Sequence, residues 1–549
     1  MSALPAVARV AEGHLPMVWR VASVPRRAGY ALARIATLVA MLVALAGTMS
    51  RAGETLHVAT PSALRQALAE APGGAVIALA PGPYGALRLT PETGWRDRAG
   101  GLTLRSVDPA RPARFSAMHL DGVSHLALEG LHFALTPDEP RPERDLDRLR
   151  PFRIFNSREI AIRGAHFSGA RHRYPGAFHV GFAYGIGLHI SKVQGVVIED
   201  SLFEILWRGV LFDGSSDIVL RANEIRAIRS DGFNFAAVQR VTIEDNHFHS
   251  FESRPDSPDH RDMIQFWTEN TSTPSTEIVI RDNLLDSAGG VWTQSIFLRN
   301  EKVDKGQAGE EMFYKNIRIE DNRIHNAHLH GIFLGETRGL SVRNNTLVHN
   351  LDSLDLGEVS EPGIQIAPRS ADVEITGNIA LSLPKKSGQG WRVEGNLVLQ
   401  SRDPGAPLHQ RHVFVDPAGA LASEAALQIL PSGPGAGLGA ALSRYEPAPA
   451  RLTALVRAEP EPGGAPDTWS FDARLSAGPK GPVPDTAEAL WDLGDGTQAQ
   501  GLRLRHRYAE PGRYRIRLTL RHGGQEARAE TVVEVDADPA IEPPGTAQP

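Results

Sequence analysis

The chain has no cysteine among its 549 residues. That excludes disulfides, thiolate metal centres and a thiol nucleophile, and it suits an oxidising compartment, where stray thiols are a liability. It also lacks a strong excess of either charge. Lys and Arg number 58 against 64 Asp and Glu, for a formal net charge of −6, so the global basic character that marks nucleic-acid binders is missing. Beyond the N-terminal region there is no apolar run long enough to cross a bilayer. Hydrophobic residues still make up 42% of the chain and charged residues 22%, which is too apolar for disorder. At this length two or more folded units are expected.

The N-terminus reads as an export signal. Arg26 and Arg27 precede an apolar run over 35–46, and Ser50-Arg51-Ala52 offers the small residues a signal peptidase reads. Cleavage after Ala52 is expected, with no stable membrane span afterwards and a secreted or periplasmic destination. The alternative is an uncleaved N-terminal anchor, since 31–49 stretches nearly to a span. The segment before Arg26 is long for a signal, which leaves Met17 as an alternative start.

From about 195 to 400 one phrase returns. Val197-Ile198-Glu199-Asp200-Ser201-Leu202-Phe203 is followed by Val219-Leu220-Arg221-Ala222-Asn223-Glu224-Ile225, and then by copies ending at Phe248, Leu285, Ile324, Leu347, Ala380 and Val398. Neighbouring copies lie 22 or 23 residues apart (Phe203 to Ile225, Ile225 to Phe248, Ile324 to Leu347), with two longer gaps after Phe248 and Leu285. Each copy alternates apolar and polar residues as a strand does. A repeat of this length holds one lap of two or three short strands with their turns. No lap buries its inner face alone, so the laps must stack. Stacking puts Asn223, Asn246, Asn283, Asn322, Asn345, Asn378 and Asn396 at one equivalent position, where an internal asparagine ladder explains them as structure. A leucine-rich repeat has a similar period, but its Leu consensus is absent.

These features resemble the pectate-lyase-like right-handed parallel β-helix superfamily. Leu64-Arg65-Gln66-Ala67-Leu68, then Gly73-Gly74-Ala75-Val76-Ile77-Ala78-Leu79 and Gly82-Pro83-Tyr84, are similar to its opening cap and first strand, and Leu430-Pro431-Ser432-Gly433-Pro434-Gly435-Ala436-Gly437 to its closing phrase. The resemblance implies an all-β domain over 53–440. It does not fix an activity, because one fold hosts lyases, hydrolases, epimerases and non-enzymes. Trp491-Asp492-Leu493-Gly494-Asp495-Gly496-Thr497, His506-Arg507-Tyr508 and Pro511-Gly512-Arg513-Tyr514 resemble the PKD domain, an immunoglobulin-like β-sandwich, expected over 451–536. A linker over 441–450 and a disordered tail over 537–549 complete the expected layout.

A site is expected where the repeat turns chemical. The strands after each asparagine turn align as Gly187-Leu188-His189-Ile190, Gly209-Val210-Leu211-Phe212, Gly232-Phe233-Asn234-Phe235, Met263-Ile264-Gln265-Phe266, Ser295-Ile296-Phe297-Leu298, Gly331-Ile332-Phe333-Leu334 and Gly363-Ile364-Gln365-Ile366. Their second and fourth positions are apolar and face the core; the third faces out. Just before these strands stand Arg208, Asp231, Asp262, Gln294 and His330. Asp231 and Asp262 fall one lap apart, about 4.8 Å if register holds. His260 and Arg261 precede Asp262, and the insertions at 250–260 and 302–311 are placed to wall a groove. The catalytic candidates are Asp231, His260, Arg261, Asp262 and His330. The substrate-binding candidates are His189, Arg208, Asn234, Gln265, Trp267 and Arg299. Each has a plainer reading as well: Asp231 and His330 as turn residues, Asp262 as partner of Arg261, Trp267 as edge packing, Arg208 and Arg299 as solvated charges.

Cations, amides and histidines crowding one patch favour β-elimination on an acidic polysaccharide. There the uronate carboxylate is neutralised by Arg208, Arg261, Asn234 or Gln265 while His260 or His330 takes the C5 proton. Asp231 and Asp262, being hard oxygen ligands, would suit a Ca²⁺ that does the same neutralising. No cofactor is otherwise expected. The alternatives are a glycoside hydrolase using the two aspartates as acid and base, a uronate C5-epimerase, and a non-catalytic glycan binder or adhesin. The paired Asp-Asp and Gly-His-Gly that mark polygalacturonases are absent, as is the epimerases' Asp-Pro-His. A monomer whose partner is a polysaccharide is expected.

Overall fold

The computed structural model describes residues 53–535, less 137–141, 174–176, 255, 288–289, 351–360, 386–387, 404, 407, 415–427, 431–432, 441–451 and several positions between 453 and 480. The expected signal segment, linker and tail therefore lie outside the described residues.

The repeating phrase folds as two strands, not one. A residue in the left-handed region bends the chain between them: Asp200, Ala222, Asp245, Asp282, Asp321 and Asn344 all have φ between 52° and 56°. Asn and Asp tolerate this conformation better than most residues. The strand before the bend, such as Gln194–Glu199 or Thr276–Arg281, joins a parallel sheet of 13 strands in sequence order, hereafter the long face. After the bend comes a short strand, such as Leu202–Leu206 or Leu284–Asp286, and these stack as a second face. A third strand per lap forms the site face: Ile186–Ser191, Arg208–Asp213, Phe233–Ala236, Asp262–Trp267, Gln294–Leu298, His330–Leu334 and Gly363–Ile366. Every pairing between laps is parallel. The result is a three-faced right-handed parallel β-helix.

Equivalent residues stack inside it. Phe133, Phe167 and Phe203 follow one another at 4.7 Å between ring centroids, and Phe212, Phe235 and Phe266 at 5.2 and 4.4 Å. Offset stacking of this kind adds to the burial of large apolar surface. Under the left-handed bends the asparagine ladder is continuous. Asn223 Nδ2 donates to Asn246 Oδ1 at 2.9 Å, and so on through Asn283, Asn322, Asn345, Asn378 and Asn396. Each Nδ2 also reaches a backbone carbonyl of the preceding lap, as Asn283 does to Ile243, so a buried amide row is fully satisfied.

The helix Pro61–Glu70, capped by Thr60 and burying Leu64 and Ala67, closes the N-terminal end of the core. At the other end Gly439 N donates to Gly377 O and Ala440 N to Thr346 Oγ1. Glycines set the close packing where the site face begins. A Cβ on Gly187, Gly209 or Gly232 would stand 2.5–2.6 Å from the backbone oxygen one lap on, so no larger residue fits there.

A separate hydrophobic core around Trp491, Phe471, Ile516 and Leu518 belongs to an antiparallel sandwich. Arg457–Pro460, Thr468–Asp472 and Arg503–Arg507 form one sheet; Glu488–Asp492, Gln498–Gln500, Gly512–His522 and Gln525–Val535 form the other. Tyr508 hydroxyl donates to Leu493 O at 3.0 Å and its ring stacks on Tyr514, so the tyrosines of the sequence motif are fold determinants. Among the described residues no helix is long and apolar enough to cross a membrane.

Candidate active site

The register brings the candidates together as rows. Arg208, Asp262, Gln294 and His330 are the first residues of their strands, where the sequence placed them just before; Asp231 does precede its strand. Asp262 pairs directly with Gln294. Asp262 N donates to Asp231 Oδ1 at 3.2 Å across one lap. The outer row, three positions further along, runs His189, Leu211, Asn234, Gln265, Phe297, Phe333 and Gln365.

The two aspartates are fully buried. Arg208 Nε stands 3.1 Å from Asp231 Oδ2 as an ion pair, out of line for a hydrogen bond. Burial pushes the Asp231 carboxyl up, against the pull of Arg208 and His260. Asp262 is pushed up to about 7, chiefly by burial and further by the Asp231 charge, while its bond to His260 opposes the rise. His260 Nδ1 lies 2.6 Å from Asp262 Oδ2. The His260 side chain is 49% exposed where that of Asp262 is 0%. Its pKa is raised by that hydrogen bond, against burial.

Amides and rings surround the imidazole. Gln294 Nε2 lies 3.4 Å from both ring nitrogens, Gln265 Nε2 lies 3.5 Å from Nδ1, and the Phe297 ring is 5.4 Å away. His330 Nδ1 is 2.5 Å from Gln294 Oε1, its ring stacks on Phe297, and burial lowers its pKa. Asn234, buried on the outer row, donates Nδ2 to Gln265 Oε1 at 3.4 Å.

The other candidates sit further out. The Arg261 guanidinium stacks 4.1 Å from the Trp292 ring, which lies on His328, and NH1 donates to Arg254 O. Trp267 is half-buried beside Ala236, two positions beyond Gln265. Arg299 is exposed and donates Nε to Asp304 Oδ2 at 2.8 Å. His189 lies two laps from Asn234 and receives Arg150 NH1 at 3.4 Å; burial and Arg150 lower its pKa to about 4. Gln294 and Phe297 were absent from the expected site, although their place in the rows was readable.

Asp231 and Asp262 do not suit a Ca²⁺ ion well. Each already faces a nitrogen partner, Arg208 or His260, and neither carboxylate reaches solvent.

A second charged cluster builds the wall next to His260. Arg229, fully buried, donates Nε to Asp259 Oδ2 and NH1 to Asp147 Oδ1 and Ala183 O, each at 2.9 Å. Trp207 Nε1 donates to Asp259 Oδ1 and Ser230 Oγ to His260 O. Ligand atoms of Glu143, Asp147 and His172 cluster within 4.8 Å there, but Arg229 NH1 lies 3.3 Å from His172 Nε2 and supplies the positive charge itself. The 250–260 insertion is thereby pinned beside the catalytic candidates.

Comparison with known proteins agrees with this architecture. Residues 456–536 match the PKD domain and 278–393 the right-handed β-helix region. The chain is a right-handed β-helix followed by a C-terminal PKD domain. The β-helix match begins beyond Asp262, so it does not reach the aspartate pair. Among solved structures, the PKD domain is similar to the PKD1 domain of the Vibrio cholerae metalloprotease PrtV (17% identity, 16% of this chain and 99% of that one, TM-score 0.13). The β-helix is similar to PfbA, a surface adhesin of Streptococcus pneumoniae (12%, 62% and 89%, TM-score 0.39), and to an alginate lyase from a Paenibacillus species (12%, 63% and 98%, TM-score 0.28). Likeness at this level concerns fold and bears on no activity. No curated protein matches the sequence.

Proposed function

We propose that the protein is an exported polysaccharide lyase that cleaves uronate-containing polysaccharide by β-elimination at His260. The observation that carries this reading is the pairing of a half-exposed imidazole with a buried carboxylate, His260 Nδ1 to Asp262 Oδ2 at 2.6 Å. Asp262 holds the proton on Nδ1, which leaves Nε2 as the base. Nε2 takes the C5 proton, the C5 electron pair forms the C4–C5 double bond, and the C4–O bond breaks. The imidazolium then returns that proton to the departing oxygen. His330, whose pKa burial lowers, donates Nδ1–H to Gln294 Oε1 and orients the amide rather than acting as the general acid. Arg208 and the amides of Gln265 and Gln294 stabilise the charge that builds on the uronate carboxylate.

Hydrolysis by the aspartate pair fits less well. An acid and a base must reach the glycosidic oxygen and a water, and both carboxylates are shut away from solvent. Export accords with the cysteine-free composition, and the PKD domain serves as a spacer or accessory glycan contact.

The test is incubation with a panel of uronate polymers, following unsaturated-uronate absorbance and reducing ends together. Both should rise, and neither should with His260→Ala. Reducing ends alone would make it a hydrolase. Neither, with inversion at C5 seen by NMR, would make it an epimerase; binding without turnover would make it a glycan binder.

A further inference from the structure

The outer row of the site face continues in the N-terminal direction past His189. Register pairs Arg88 with His119, His119 with Arg153, and Arg153 with His189. Four successive strands of this face thus present a nitrogen base or cation at one outer position, and Arg150 joins them through His189. Arg88 and Arg150 are exposed, while His119, Arg153 and His189 are half-buried.

Among the described residues this row's arginines make no ion pair, and the carboxylates that act on it, Asp121 and Glu92 on His119 and Asp213 on His189, raise the imidazoles against burial. On the long face the arginines are matched lap by lap: Arg105 with Glu129, Arg163 with Glu199, Arg281 with Glu244, and Arg343 with Glu374. Among the described residues Arg88, Arg150 and Arg153 have no carboxylate partner. Arg153 Nε is shielded from water with no acceptor, its guanidinium lying over the Phe155 ring. Asp121, two positions beyond His119, and Asp213, on the next strand of the face, accept from Asn156 and Ser191. Arg150 is held below its usual range by burial and by Arg208, Arg148 and Arg153, and the His119 imidazole is lowered by burial and Arg153, against the pull of Asp121. Beyond the catalytic candidates the same row turns aromatic, at Phe297 and Phe333.

We propose that Arg88, His119, Arg150, Arg153 and His189 form a run of subsites for consecutive anionic sugars, so that the groove reads an acidic block on the N-terminal side of His260 and a less charged, ring-stacking segment on the other. Laps rise by about 4.8 Å, close to the advance per pyranose in an extended polymer, so successive sugars fall beside successive laps. Unpaired guanidiniums are suited to such carboxylates because their planar forks donate two parallel bonds. This extends the proposed function, but it concerns binding and does not need turnover.

The test is calorimetric titration of the full chain with hexamers of galacturonate and of mannuronate, and with cellohexaose as the neutral control, at two salt concentrations. An acidic hexamer should bind and cellohexaose should bind at least tenfold more weakly. Salt should weaken the acidic hexamer's binding, and Arg88→Ala with Arg153→Ala should weaken it tenfold or more while flattening the salt dependence. Arg153→Lys should recover only part of it. If the wild type binds an acidic hexamer but never turns it over, the lyase reading fails and this one stands. Failure of both acidic hexamers to bind, or binding indifferent to Arg88 and Arg153 in a folded variant, would overturn it.

Discussion

Two buried polar rows climb this β-helix, each adding one side chain per lap, and they differ in how completely they are hydrogen-bonded. In the asparagine row every amide from Asn223 to Asn378 donates to the next and accepts from the previous lap's backbone. In the row at the start of the site face Asp231 Oδ2 and Asp262 Oδ1 are buried without a hydrogen bond, and Asn234 Oδ1 beside them shares that condition. Unsatisfied buried oxygens are destabilising, and such strain concentrates where a site needs groups poised for a ligand. A buried polar group is therefore informative only together with its partners: the first row is satisfied and holds the coil together, and the second is the one at which the proposed function places chemistry.

Substitutions should separate the two. The largest effect is expected at the dyad. His260→Ala or Asp262→Ala should lower kcat/KM on a uronate polymer by about 100-fold or more, with thermal unfolding little changed. Next, the raised pKa of His260 places the working base above the ordinary histidine range. The kcat/KM profile should therefore rise with pH on the alkaline side of 6.5, and Asp262→Asn, which removes the bond that raises it, should move that limb to lower pH. The converse experiment is Asn283→Ala. It should leave turnover intact while lowering stability by roughly 1–3 kcal/mol in denaturant titration, through the Asn246 N and Nδ2 donors left unmatched on the preceding lap and the donor lost to Asn322 Oδ1 on the next. Equal activity loss from Asn283→Ala and His260→Ala would erase the contrast.

A smaller effect concerns stability and pH. Asp262 is raised in the fold from 3.8 to about 7. Its contribution is present below its ordinary value and is lost as pH climbs toward 7. Asp262→Asn should thus gain in Tm relative to the wild type as pH rises through that window, as read by calorimetry. Smallest of all, a chain ending near Tyr445 should stay folded and keep most activity on soluble substrate, because the β-helix and the PKD domain have separate hydrophobic cores.

Much of this was legible in sequence for a physical reason: stacking forces equivalent residues into register, so periodicity reports contacts directly. Asn223 to Asn396 could be read as a ladder, and Asp231 and Asp262 as neighbours, without coordinates. The left-handed bends were hidden because Asp200 and Ala222 share position but not residue type. Strands as short as His247–His249 left no alternation to detect. Nor could sequence show that both aspartates would be closed off from solvent, or that Arg261 would turn to Trp292. Those outcomes depend on the non-repeating loops. The Arg229 cluster joins Asp147 at the end of a short helix, Ala183 in a two-residue strand and Asp259 in a loop, and no period connects them.

The asparagine ladder is indifferent to how much chain separates its rungs. Asn223 and Asn246 are 23 residues apart, Asn246 and Asn283 are 37, and Asn283 and Asn322 are 39, yet the amide bonds are 2.9, 3.0 and 2.9 Å. Length added to a lap is extruded at the corners and never reaches the axis. The coil thus behaves as a rack with fixed pitch, into which loops of different size and composition can be slotted beside the same candidate row. Exchanging 250–260 or 302–311 for loops of other lengths should alter which polymer is gripped without disturbing the spine that presents His260.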